Sequence, residues 1–164
     1  QESKFGQMLD PIADKAMVII ALLVITGFSG MNPWILLPST IILFREVFVS
    51  GLREFLGDSA SLLQVTKLAK WKTAVQMIAI ATLFTQGIFQ HYLELELWGM
   101  NKNALTLAIS NASVETGGST WIYWEAYALW ILGVLFLWLA SFLTLVSGID
   151  YFRKSIPYLK DNNL

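Results

Sequence analysis

Four apolar stretches separated by polar punctuation set the layout of this chain. The first runs from about Leu9 to Phe28 and stops at Gly27, Ser29, Gly30 and Asn32, a turn-forming cluster. The second opens at Pro33-Trp34 and continues to about Leu56, interrupted by Arg45, Glu46, Arg53 and Glu54. After the polar interval 57–61, Lys67, Lys70 and Lys72 lead into a third stretch from about Thr73 to Phe89. His91 to Thr120 is mostly polar, and the fourth and longest stretch, Trp121 to about Ile149, closes with Asp150, Tyr151, Phe152, Arg153 and Lys154. A helix needs about 20 apolar residues to cross the hydrocarbon of a bilayer. The pattern therefore predicts an all-α integral membrane protein with four transmembrane helices, at 9–28, 33–56, 73–89 and 121–149. No repeat or linker divides residues 1–164, which read as a single membrane domain.

Composition agrees: 55% hydrophobic and 14% charged residues, with a mean hydropathy of +0.58, lie outside the range of an ordinary soluble domain. The formal net charge of -1 names no partner, and nothing points to nucleic acid. The absence of cysteine rules out thiolate chemistry and a cysteine metal site. Residues 1–4 are polar, and the apolar run after them is not expected to be a secretory signal peptide. Charge then orients the spans. Lys4, Lys15, Arg45, Arg53, Lys67, Lys70, Lys72, Arg153, Lys154 and Lys160 fall on one side of the four-span arrangement, and Lys102 alone on the other. By the positive-inside rule both termini and the loop between spans two and three are cytoplasmic, so residues 91–120 face outward and Trp121, Tyr123, Trp124 and Tyr127 form an interfacial belt.

The polar chemistry collects in the cytoplasmic half. Gly6, Asp10 and Asp14 are four apart, so on a helix they stack along one face within roughly 80° of arc. Pro11 suits a first helical turn, which places Asp10 at a helix start. Two carboxylates on one face can supply part of a site for a hard divalent cation such as Mg2+ or Mn2+. The same spacing beside Lys15 also fits a solvated, self-paired helix end; ionised groups at the edge of a membrane span favour a functional use. On the second span Glu46 and Arg53 share a face with Ser50 between them, while Arg45 is rotated away by roughly 80 to 100°, free to point along a neighbouring helix. Arginine at that depth meets a carboxylate or a phosphate. Pairing of Arg45 with Glu46 or of Arg53 with Glu54, or snorkelling, is the structural alternative. For Lys70 and Lys72 the alternative is simple attraction to anionic lipid heads. Carboxylates suited to metal beside cations suited to phosphate, at the depth of a lipid headgroup, are the layout for phosphoryl transfer to or from a lipid.

Gly6-x3-Asp10-x3-Asp14 resembles the second half of the CDP-alcohol phosphotransferase signature, D-x2-D-G-x2-A-R-x8-G-x3-D-x3-D. The wording from Leu9 to Lys15, with Arg45 to Glu54 and Lys70 to Gln76, is similar to the bacterial phosphatidylglycerophosphate synthase branch. The likeness covers roughly residues 4–90; the last span is generic hydrophobic helix. The resemblance implies a six-helix membrane enzyme, typically a homodimer, of which this chain holds the C-terminal part. Such an enzyme moves a phosphatidyl group from CDP-diacylglycerol to sn-glycerol 3-phosphate and releases CMP. It further implies that Asp10 and Asp14 bind the metal, Mg2+ or Mn2+, and that Asp14 is the general base. Gly6 would leave room for the cytidine nucleotide, and Arg45, Arg53, Lys70 and Lys72 would bind the acceptor phosphate or the diphosphate. The expected location is the bacterial inner membrane, with the site facing the cytoplasm.

The first half of the signature is absent, so the chain reads as a trimmed enzyme, expected to be inactive alone. Residues 91–120 are longer than the branch predicts. His91 is expected at the outer interface, Asn111-Ala-Ser113 as a chance glycosylation pattern, and Gly27, Gly87, Gly133 and Gly148 as helix-packing or end positions. Three other readings stay open: another acceptor alcohol such as inositol phosphate, a transporter using Asp10, Asp14 and Glu46, and a non-catalytic membrane subunit. The clustering of carboxylates on one side counts against transport.

Overall fold

The computed structural model describes residues 4–57, 67–96 and 119–160, with several side chains near the helix ends, Asp10 and Lys70 among them, outside the description. The described residues form four α-helices and no strand: α1 (Lys4–Phe28), α2 (Pro33–Leu56), α3 (Lys67–Glu96) and α4 (Ser119–Lys160). Among the described residues two stretches, Pro33–Leu56 and Trp124–Leu159, are long and apolar enough to cross a membrane. The stretches expected at 9–28 and 73–89 are helical as well.

The turn between α1 and α2 follows from its residues. Gly30 takes φ +64°, followed by Met31 at φ 60°, the left-handed conformations that end a helix. Met31 N–H then donates to Thr26 O at 3.1 Å and Ser29 N–H to Ile25 O at 2.9 Å, which satisfies carbonyls at the end of α1. Asn32 Oδ1 accepts from Trp34 N–H at 3.0 Å and caps α2, whose first residue, Pro33, needs no N–H partner.

The expectation that Pro11 and Asp10 open a helix needs correction. α1 begins at Lys4 and runs through both. Proline inside a helix removes one N–H and costs about 3 kcal/mol, yet the helix of 25 residues continues on both sides of it. α3 and α4 also outrun their apolar stretches. α4 continues to Lys160 because its last turns keep a packed face, with Tyr151 and Ser155 buried, and a polar one, where Lys154 Nζ donates to Asp150 Oδ2 at 2.7 Å.

α4 is the axis of the bundle. It packs most extensively on α3, next on α2, while α1 rests lightly against α2 and α3. α2 and α4 run parallel, because their contacts advance in step: Trp34 against Trp138, Arg45 against Ser147, Phe48 against Phe152. Trp138 Nε1 donates to Trp34 O at 3.0 Å and fixes that register. The core is built from Leu22, Ile25, Ile35, Ile42, Ile80, Leu83, Val134 and Leu137. A second cluster joins Val49 to Tyr151, with Leu52 and Leu56 packed on it. Two of the four singled-out glycines sit at close approaches. A Cβ on Gly133 would lie 2.6 Å from Leu83 Cδ2, and one on Gly148 would lie 3.0 Å from Arg45 Cγ. Gly27 and Gly87 have open space beside them among the described residues, so packing does not explain them.

Candidate functional site

The site is assembled where α2, α3 and α4 meet. Glu46 and Arg45 are neighbours on α2, and a helix turn of about 100° per residue separates their side chains. Both nevertheless reach the same point, because Arg45 lies along α4 and curls back. Its aliphatic stem fills the space that Gly148 leaves. Arg45 Nη1 pairs with Glu46 Oε1 at 3.2 Å, and Nη2 donates to Ser147 Oγ at 3.4 Å. Lys72, at the start of the apolar part of α3, is 5% exposed, and its Nζ pairs with the same Glu46 oxygen. One carboxylate oxygen thus serves two cations from two helices. Arg45 Nε, Thr144 Oγ1 and Tyr151 OH are buried without a hydrogen-bond partner among the described residues. The arrangement keeps unused hydrogen-bonding capacity beside a net positive charge.

A second contact ties α1 to this region. Lys15 Nζ donates to Ser50 Oγ at 2.6 Å, and Ser50 Oγ donates to Glu46 O at 2.7 Å. Ser50 lies one turn beyond Glu46, so the turn of α1 that carries Asp14 stands beside the same segment of α2. Asp14 itself is exposed. Among the described residues Arg53 makes no ion pair with the cluster; its guanidinium lies 5.3 Å from the centre of the Tyr151 ring, a cation–π contact.

Of the residues expected from sequence, the structure brings Arg45 and Lys72 together at Glu46 and lays Arg53 over Tyr151. The expected Arg45–Glu46 pairing forms. Gly6 and Asp10 lie on α1 and Lys70 on α3, and the side chains of Asp10 and Lys70 are outside the described residues. Among the described residues no group of three or more His, Cys, Asp or Glu gathers. The carboxylate chemistry still suits a hard cation, which would take Asp14 with Asp10 one turn earlier and complete its shell from water or substrate oxygens.

Sequence reasoning passed over Ser147 and Tyr151, which the last apolar stretch conceals, and marked Gly148 only as a helix-packing or end position. A signal was present in Ser141, Thr144, Ser147, Gly148, Tyr151 and Ser155, small or polar residues at helical spacing that the structure buries on one face of α4.

A family of membrane-lipid enzymes combines these features. Residues 1–147 match the CDP-alcohol phosphatidyltransferase family, and the chain belongs to it. It is 58% identical to a CDP-diacylglycerol–glycerol-3-phosphate 3-phosphatidyltransferase of Cereibacter sphaeroides over 98% of this chain and 73% of that protein. Proteins of the same name from Haemophilus influenzae and Rickettsia bellii are 37% and 32% identical, over 99% and 95% of this chain and 68% and 66% of their own lengths. The chain thus spans 66% to 73% of the length of these relatives. No solved structure matches it.

Proposed function

We propose that the protein is the phosphatidyltransferase its relatives are named for. It moves the phosphatidyl group of CDP-diacylglycerol to a hydroxyl of sn-glycerol 3-phosphate, forming phosphatidylglycerophosphate and CMP. The observation that carries this reading is the convergence of Arg45 and Lys72 from separate helices, beside the turn of α1 that presents Asp14. Asp14 takes the proton of the acceptor hydroxyl, whose oxygen bonds to the phosphorus bearing the diacylglycerol. The bond from that phosphorus to the oxygen of CMP breaks, and CMP leaves with the electron pair. Arg45 and Lys72 hold the acceptor's phosphate, with Arg53 and Lys70 serving the acceptor phosphate or the diphosphate, and Gly6 leaves the nucleotide room against the backbone of α1. Asp10 and Asp14 would hold Mg2+ or Mn2+, which when bound neutralises charge on phosphate oxygens.

The reading includes a setting. All four helices span the bacterial inner membrane, both termini and the site face the cytoplasm, residues 91–120 face outward, and the protein works as a homodimer. Outward-facing Phe28, Phe44, Phe55, Leu135 and Phe142 favour a lipid surround over water. The test is CMP formation from CDP-diacylglycerol by the natural protein in detergent, with glycerol 3-phosphate or inositol phosphate, with Mg2+ or chelator. CMP release should require glycerol 3-phosphate and metal and fall at least about 100-fold in Asp14→Asn. Because Asp14 is exposed, that substitution should leave stability within about 0.5 kcal/mol. Turnover with inositol phosphate, or unchanged turnover in Asp14→Asn, would overturn the reading.

A further inference from the structure

We infer that Glu46 is a resident counter-ion of the phosphate site: it occupies the two cations when substrate is absent, and an incoming phosphate displaces it. The inference rests on the assignment of Arg45 and Lys72 to phosphate binding, and it concerns what that site does when empty of substrate.

Arg45 Nη1 and Lys72 Nζ meet at one atom, Glu46 Oε1. A phosphate oxygen offers both donors the same kind of acceptor, with a larger negative charge. The two cannot occupy one point, so a phosphate that takes both Arg45 Nη1 and Lys72 Nζ displaces Glu46. Its departure has a destination. Ser50, one turn along the same face of α2, already accepts a hydrogen bond from Lys15 Nζ at 2.6 Å. Lys15 therefore offers the displaced carboxylate a cation without leaving the site.

The arrangement solves a problem of burial. Two cations side by side with little access to water repel each other and lose hydration unless an anion joins them. Glu46 supplies that anion between turnovers, keeping Lys72 and Arg45 aimed at the place a phosphate will take. The cost is competition: every phosphate that binds must first release Glu46. A carboxylate fixed as a permanent structural partner would have the opposite effect, since removing it would disorganise the cations and weaken phosphate binding.

The two cases separate in a calorimetric titration of the protein in detergent with inorganic phosphate, at constant ionic strength. Glu46→Gln keeps the shape and hydrogen-bonding ability of the side chain and removes its charge. It should bind phosphate roughly tenfold more tightly than the wild type, the order expected for relieving one close charge competitor. Should Glu46→Gln fail to fold, Glu46→Asp keeps the charge but withdraws the carboxylate by one methylene, and it should tighten binding by a smaller factor. Lys72→Gln should abolish binding. Phosphate affinity lost in Lys72→Gln but unchanged or weakened in both Glu46 variants would overturn the counter-ion role and leave the phosphate site standing. Affinity that survives unchanged in Lys72→Gln would overturn the phosphate site and the counter-ion role together.

Discussion

At the scale of the residue, the pairing of Arg45 depends on an absence. Gly148 has no side chain where the stem of Arg45 passes, and a Cβ there would stand 3.0 Å from Arg45 Cγ. Gly148→Val adds that carbon and two more beyond it, and should push the guanidinium away from Ser147 and Glu46. The expected outcome is a rise in KM for the acceptor of about tenfold or more, with a loss of about 1–3 kcal/mol in stability. Steady-state kinetics at varied glycerol 3-phosphate, beside a denaturation midpoint, would check it, and an unchanged KM would separate Arg45 from acceptor binding. Sequence already marked Arg45, Glu46 and Lys72 as chemistry-bearing, since charges inside apolar stretches stand out. It did not mark Lys72 as the partner of Glu46, because a contact across 26 residues depends on how two helices are rotated against each other. Ser147 was still less visible and Gly148 was marked only for packing: their part in the site is to accept one hydrogen bond and to make room, and small residues doing so look like any helix contact.

At the scale of the element, the crossing of α3 and α4 is set by Gly133. The Leu83 side chain lies where a Cβ on Gly133 would be, 2.6 Å from Cδ2 and 2.7 Å from Cγ, so any side chain at 133 would force Leu83 to move. Gly133→Ala should lower stability by about 1–3 kcal/mol through overpacking. Gly133→Ala combined with Leu83→Ala should recover part of that loss, because the second change removes the atoms in the way. The checking measurement is a double-mutant cycle of unfolding free energies, and strict additivity would sink the assigned contact. Helix boundaries separate what was legible from what was not. The turn signals at Gly30, Asn32 and Pro33 are local, and α2 begins and the first helix ends where they indicate. The start of α1 and the far end of α4 were misplaced: α1 runs through Pro11 against local preference, and at α4 the buried Tyr151 and Ser155 carry the helix past the end of the apolar run.

At the scale of the whole molecule, the distribution of charge and the length of the helices bear on one question, which way the bundle sits. α4 has 42 residues and at about 1.5 Å per residue runs about 63 Å, roughly twice the hydrocarbon thickness of a bilayer, so both of its ends would emerge from a membrane that it crosses. α3 and α4 pack antiparallel, with Leu83 against Gly133 near one end and Lys72 drawn to the level of Ser147 near the other. That geometry sets His91 of α3 and Lys154 of α4 at opposite ends of the bundle, and both are exposed. The chain contains no cysteine, so a single introduced thiol reports its own position without background. In intact spheroplasts a membrane-impermeant maleimide should label His91→Cys and leave Lys154→Cys unlabelled until the membrane is opened. Labelling of both from outside would mean that the bundle does not cross, and the reverse pattern would turn the phosphate site away from the cytoplasm and from the nucleotide-linked lipid proposed as its substrate.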